Sequence, residues 1–241
     1  KSRPVKIPIP FYLIRHSKQG LILFDTGLGT RFDSQVRQSW LNRLLQLPLP
    51  YELKPEETAV RQLAVRGIPA EAIRTIVVSH LHLDHAGGLR DFPDATVIVS
   101  QKEWDHANAG KFLARLRGYI KEQYEGLEPR LGLVNYSPGS PKGPFQASYD
   151  LFGDGSLVLL FTPGHTPGHQ SLLVTEENGK QILLTGDAVW VKEGYERPAP
   201  KSWIVRHLEE EAGPALGSTE AIYHFHRQHP DQRAVQLLGP C

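Results

Sequence analysis

The sequence predicts an α/β fold in which two β-sheets lie face to face and helices cover their outer sides. Two observations carry this expectation. Short apolar, strand-like runs alternate with helical spacings in two successive sets, a pattern that buries its apolar faces as stacked layers. Histidine and aspartate collect just past the ends of several of those strands, where sites gather in α/β folds. No repeat of fixed period and no low-complexity tract interrupts the pattern, so residues 1–241 are read as one domain with two similar halves.

The elements follow in order. "PFYLIRHSKQGLILFDTG" is a hairpin, with a polar "HSKQG" turn between two apolar runs. Pro55 to Val65 has helical spacing with acidic residues in its first turn, and Gly67 stops it. Ile76 to Val78 is a β-branched strand, and "ATVIVSQ" from Ala95 is another. A helix is expected from Lys102 to Tyr119, and a loop at "PGSPKGP", residues 138 to 144. The second set comprises strands at 156–161, 170–175 and 181–184, the latter two joined by an Asn178-Gly179 turn. Residues 191 to 217 read as surface connections with one short helix. Ser218 is placed to cap a helix through His229, before a last strand at 234–238.

Composition excludes several classes. With 40% hydrophobic and 22% charged residues and a formal net charge of +1, the chain lacks the footprint of a nucleic-acid binder or a basic membrane patch. No apolar run approaches bilayer length. The single cysteine, Cys241, excludes an internal disulfide framework and fits a reducing compartment, so a cytoplasmic location is expected. The chain begins at Lys1 and contains no methionine, and both ends read as trimmed.

The chemistry concentrates in "SHLHLDHAGG", where His80, His82, Asp84 and His85 fall within six residues. An extended run past Ser79 sends residues 80, 82 and 84 to one side, and a turn at Asp84-His85 sends His85 elsewhere. One loop then offers two ligand groups, His80 with His82 and Asp84 with His85. Imidazole nitrogen and carboxylate oxygen are donors that zinc and similar ions accept. His165 and Asp187, each beside a glycine at a strand end, supply a further histidine and a second carboxylate. Together they suit two metals with a carboxylate between them. His169 is read as structural, and His106 and His207 as surface residues.

"HLHLDHAGG", "TPGHTPGH" and "TGDA", with an upstream "FDTG", resemble the metallo-β-lactamase superfamily over nearly the whole chain. The resemblance implies an αβ/βα four-layer sandwich, two mixed sheets flanked by helices, with the metals at one edge. It places His80, His82 and His165 on the first metal and Asp84 and His85 on the second. Asp187 would bridge the two, and Asp25 would brace a ligand from behind. It also demands one more histidine, expected just beyond Cys241; His224, His226 and His229 are weaker candidates. The cofactors expected are two divalent ions, zinc by its donor preference, with cobalt, manganese or iron also suited. Two such ions, about 3.5–4 Å apart, present a bridging hydroxide to a carbonyl or phosphoryl centre, and Asp84 beside it can act catalytically as a proton shuttle.

"HLHLDHAGGL" with "TPGHTPGHQSLLV" resembles the quorum-quenching branch, the N-acyl-homoserine lactone lactonases. A small-molecule lactone substrate and hydrolysis of its ring ester are therefore expected. That branch often carries tyrosine three residues after the bridging aspartate; here Trp190 stands there, a candidate substrate contact. Alternatives are a glyoxalase II-type thioesterase or a phosphotriesterase of the same fold. The balanced charge disfavours a nuclease, and the number of ligands disfavours a single-iron persulfide dioxygenase. A non-catalytic binding protein on the same scaffold would usually have lost ligands, and here each one that can be checked is present. A homodimer is compatible with the sequence.

Overall fold

The computed structural model describes residues 8–37, 52–110, 114, 117–136, 140–190, 194, 196, 209–229 and 233–235. One sheet holds, in spatial order, β1 (Tyr12–His16), β2 (Gly20–Phe24), β3 (Ile73–Val77), β4 (Thr96–Ser100) and β5 (Leu131–Val134). The other runs β10-β9-β8-β7-β6 and comprises β6 (Ser148–Asp150), β7 (Leu157–Phe161), β8 (Gln170–Thr175), β9 (Gln181–Leu184) and β10 (Arg233–Val235). Both sheets are mixed: β1 is antiparallel to β2 while β2, β3, β4 and β5 are parallel, and β9 is parallel to β10 while β6 to β9 are antiparallel. The helices are α1 (Phe32–Arg37), α2 (Ala59–Val65), α3 (Leu83–Ala86), α4 (Gln101–Ala109), α5 (Lys121–Tyr124) and α6 (Ala212–Gln228).

Alternation along each strand builds the layers. Ile22, Phe24 and Val77 of the first sheet pack against Leu157, Leu159, Leu172 and Leu184 of the second. The intervening Leu23, Ile76, Val97 and Val99 face outward onto Leu63 of α2 and Ala107 of α4. On the far side, Val158, Leu160, Leu173 and Leu183 meet Ile222 and Phe225 of α6. The inner strands β2, β3, β4, β7, β8 and β9 are thus largely apolar on both faces, and each fully buried Leu, Ile or Phe contributes about 1.5–3 kcal/mol. The expected sandwich of two mixed sheets flanked by helices is what forms.

Direction then positions the site. The parallel strands β2, β3 and β4 end at one edge, and β7 and β9 end there too because each is antiparallel to β8. The sheets are laced together at that edge by Gln170, whose backbone N–H donates to Ser79 O at 3.0 Å and whose Nε2 donates to Val78 O at 2.8 Å.

Several expected elements are corrected. The helix expected from Pro55 is a 3-10 turn at Pro55–Glu57 followed by α2, because Thr58 is extended at φ −65°, ψ 146°. The helix expected over 102–119 is not continuous: α4 ends at Ala109, Gly110 is extended at φ −155°, Ala114 is helical, Gly118 has φ +97° and Tyr119 bridges to His82, while 111–113, 115 and 116 lie outside the described residues. The last helix starts at Ala212, six residues before Ser218. Ser218 therefore caps nothing; it is buried inside α6 and donates to Pro163 O at 2.7 Å. Of the strand expected at 234–238, β10 contains residues 234 and 235, and 236–238 lie outside the described residues. Strands β5 and β6 and helix α5 had no clear sequence signal.

Candidate metal centre

Asp25 follows β2, in left-handed backbone at φ +58°, the one described non-glycine residue with positive φ. This conformation is tolerated by aspartate better than by most residues, and such outliers gather at functional sites. Its side chain organises the centre. Oδ1 accepts the N–H of Ser79 at 2.7 Å, and Oδ2 accepts the Ser79 hydroxyl at 2.9 Å and Nδ1 of His85 at 2.8 Å. With its hydrogen committed to Asp25, Ser79 Oγ accepts from Nδ1 of His80 at 2.9 Å. That sets the His80 tautomer and leaves its Nε2, buried and without a hydrogen-bond partner among the described residues, as a lone-pair donor.

Two groups of ligand atoms form around His80. One is His80, His82 and His165; the other is His80, His85 and Asp187; within each, the ligand atoms lie within 4.8 Å of one another. His165 Nε2 and His82 Nδ1 face each other at 3.1 Å. Nitrogens bound tetrahedrally to zinc at about 2.0–2.1 Å stand roughly 3.3 Å apart, so this spacing suits a shared ion. Asp187 reaches both groups, with Oδ1 3.3 Å from His85 Nε2 and Oδ2 3.4 Å from His165 Nε2. Asp84, in the single turn of α3, stands outside both groups but close enough to His85 and Asp187 for each to act on its titration. Since α3 begins at Leu83, Asp84 does not continue the extended run of His80 and His82.

Electrostatics fits cation binding. Burial, and then the neighbouring imidazoles, hold the pKa of His80 and His82 well below 6.5, so both stay neutral as ligands must. Burial opposes charge on His85 too, but Asp187, Asp25 and Asp84 outweigh it and hold its pKa well above 6.5. Asp187 is driven the other way: burial would raise it, yet His85, His165 and His169 hold it far below 3.8. Burial raises Asp84, with His85 opposing. Neutral His80 and His82 beside clustered carboxylates fit a divalent cation, and an ion at His85 Nε2 would replace the proton that the same carboxylates favour there.

His169 is structural as expected: Nδ1 pairs with Thr162 Oγ1 at 2.9 Å, and Nε2 accepts the N–H of Asp187 at 3.0 Å. Trp190 is half-buried, its ring edge-on to His165 at 6.0 Å. His224, His226 and His229 lie on or at the end of α6, outside both ligand groups. His106 is not a bare surface residue: its Nε2 meets Glu210 at 2.6 Å. His207 and the stretch before Cys241 lie outside the described residues.

Four supporting residues escaped the sequence reading. Besides Ser79, Thr26 binds the His85 carbonyl through its N–H at 2.9 Å and its hydroxyl at 2.8 Å. Glu103, fully buried, accepts Leu81 N–H at 2.9 Å, Tyr119 O–H at 3.1 Å and Thr166 O–H at 2.6 Å. The Tyr119 ring packs edge-on against His82 at 4.7 Å. Their one sequence signal was adjacency, since Thr26 and Ser79 abut motif residues.

Residues 7–232 match the pattern of the metallo-beta-lactamase superfamily. The chain is 35% identical over 204 residues to the N-acyl homoserine lactonase AttM of Rhizobium radiobacter, covering 85% of this chain and 73% of that one. An N-acyl homoserine lactonase from a Bacillus species is 33% identical over 196 residues, covering 80% of this chain and 69% of the relative. A crystallised variant of AiiA from B. thuringiensis, with N-decanoyl-L-homoserine bound at its active site, superposes with a TM-score of 0.70 at 25% identity, covering 99% of this chain and 83% of that one. An N-acyl homoserine lactone hydrolase with N-hexanoyl-L-homoserine bound at its catalytic metal centre gives 0.68 at 25% identity, covering 99% and 84%. The ligand order along the strands, the matched pattern and these relatives agree, and the chain belongs to the metallo-beta-lactamase superfamily.

Proposed function

We propose that this chain is a dizinc hydrolase that opens the lactone ring of N-acyl-homoserine lactones. The observation that carries the reading is Asp187, whose two oxygens face different ligand groups, one towards His85 and the other towards His165. In this reading His80, His82 and His165 would hold one ion and His85 with Asp84 the other, with Asp187 in reach of both groups. Two ions so held would supply Lewis-acid polarisation of the ester carbonyl and a water acidified towards neutrality.

The chain's own residues do the rest. Asp25 and Ser79 keep the hydrogens of His80 and His85 on Nδ1, so that both present Nε2 to the centre. Asp84, beside His85, would take a proton from the water whose oxygen adds to the ester carbonyl and return it to the ring oxygen as the carbonyl C–O bond breaks. Trp190 walls the side of the centre next to His165, where an acyl chain can pack. AttM and the Bacillus enzyme are named lactonases, which favours a lactone over a thioester or phosphotriester. No helix among the described residues is long and apolar enough to cross a membrane. The single cysteine supports a cytoplasmic location, and the balanced charge supports a small-molecule partner over nucleic acid.

The test is proton release from a medium-chain N-acyl-homoserine lactone by zinc-loaded protein, with a chelated control and parallel assays on a thioester and a phosphotriester. Fast, chelator-sensitive release on the lactone alone is the expected outcome. Release on another substrate with none on the lactone would overturn the substrate assignment while keeping the metal centre.

A further inference from the structure

Away from the ligand groups, a cavity of about 540 Å³ opens where β4 and β5 end beside β7. That volume falls in the range of small-molecule sites, and none of the metal-ligand candidates lines it. At one end lies Ser100, 1% exposed, at the N-cap position of α4. Its hydroxyl makes no capping bond, although serine at this position ordinarily does. It has no hydrogen-bond partner among the described residues. A buried donor left unmatched is unfavourable, and a ligand group is one way to match it.

The rest of the lining has a consistent chemistry. Lys102, on the first turn of α4, sets its ammonium 5.8 Å above the Phe161 ring. Its ion pair with Glu211 is a half-exposed contact of 3.9 Å, weak enough for another anion to displace. Asn135 and Gln146 add two side-chain amides. The remaining wall is apolar, with Tyr136 and Phe161 stacked at 4.8 Å and 29° beside Val134 and Ala147. One cation, one buried hydroxyl and two amides on an apolar, aromatic wall complement a molecule with a single carboxylate, an amide neck and an apolar tail. A simple inorganic anion would leave the apolar wall unused, and a hydrocarbon would leave the polar groups unpaired.

We propose that this cavity is a second ligand site, distinct from the metal centre, for an amphiphilic carboxylate of the N-acyl amino acid class. The site touches the centre through one buried relay. Tyr136 donates its hydroxyl to Gln170 Oε1 at 2.7 Å, and Gln170 N–H binds the carbonyl of Ser79, the residue that holds His80. A ligand against the Tyr136 ring therefore bears on the strand ends that carry the ligand histidines. The ring-opened N-acyl-homoserine has the same shape; that link alone rests on the lactonase reading.

The test is an amide NMR titration of the full, zinc-loaded chain with N-decanoylglycine, which has no lactone to hydrolyse, against decylamine as the charge control. Saturating shifts at Ser100, Asn135, Gln146 and Ala147 are expected. Affinity should fall at least tenfold in Lys102→Glu and several-fold in Ser100→Ala, which removes the unmatched hydroxyl without changing charge. Shifts confined to the surroundings of His80, His82 and Asp187 would overturn the proposal. So would equal binding of decylamine, or unchanged affinity in both variants. Because the readout is binding, its failure is separate from any failure of lactone hydrolysis.

Discussion

Glu103 accepts the hydroxyl of Thr166 at 2.6 Å on one oxygen and the N–H of Leu81 at 2.9 Å on the other. Thr166 follows His165, and Leu81 sits between His80 and His82, so one buried carboxylate ties together the loops that carry the three histidines of the first ligand group. Gly168 lets the second loop come this close, since a Cβ there would lie 2.1 Å from the backbone nitrogen of Glu103. Glu103→Gln preserves shape but has one oxygen for donors that now use two, so one hydroxyl or N–H loses its acceptor. Hydrogen bonds to charged groups contribute about 1.5–3 kcal/mol each, and a loss of that order is expected in urea unfolding of the zinc-loaded protein. Zinc affinity should fall with it, and an unchanged midpoint and affinity would remove Glu103 from this role.

The same residue shapes the pH dependence of the metal-free protein. Burial raises the Glu103 carboxyl above its ordinary 4.5, and its three hydrogen bonds only partly oppose this. An acid whose pKa is raised in the folded state binds more protons folded than unfolded. Its contribution is therefore fully present below 4.5 and is lost as pH rises through the raised value. Glu103→Gln cannot ionise, so the stability difference between wild type and variant, taken across that window in chelator, should shift against wild type as pH rises. A difference independent of pH would show that the carboxyl is not raised.

Asp25 braces the centre from behind, through Ser79 to His80 and directly to His85. Asp25→Asn keeps a side chain that tolerates φ +58° but brings an amide where a carboxylate accepted three donors. Loss of such a supporting partner typically weakens metal binding about 10–100-fold. A zinc competition titration should show that drop, with little change in strand content by circular dichroism. Wild-type affinity in the variant would mean that the imidazoles hold their orientation without Asp25.

How much of this was legible in the sequence follows from where each partner lies. The candidate ligands stood out because His80, His82, Asp84 and His85 are crowded and His165 and Asp187 sit at strand ends beside glycine. Glu103 did not, because its partner Thr166 is 63 positions away and nothing in "QKEWDHA" marks a buried clamp. The inner strands of both sheets were readable since apolar residues on two buried faces make dense runs, whereas the edge strands β5 and β6 were not. Helix limits were not. Gly213, Pro214 and Gly217 looked like breakers, yet they lie in α6, where packing of Ile222 and Phe225 on the second sheet outweighs propensity. Conversely, Gly110 ended α4 where helical spacing seemed to continue.

Two glycines with positive φ separate backbone strain from crowding at the centre. Gly179, φ +83°, turns between β8 and β9, and a Cβ there would have nothing within 4 Å, so Gly179→Ala meets only the left-handed penalty. Gly186, φ +53°, precedes Asp187, and a Cβ there would lie 2.8 Å from both His169 Nε2 and Ser79 Cβ. Each substitution should cost about 1–2 kcal/mol in urea unfolding from conformation alone. Gly186→Ala must in addition push His169 or Ser79, and these two residues hold the Asp187 backbone and the His80 ring. Bound zinc per chain, measured by atomic emission after desalting, should therefore stay at the wild-type value in Gly179→Ala and fall in Gly186→Ala. Equal zinc in both variants would show that the centre adjusts to the methyl group, and that the close approach at Gly186 does not set the position of its ligands.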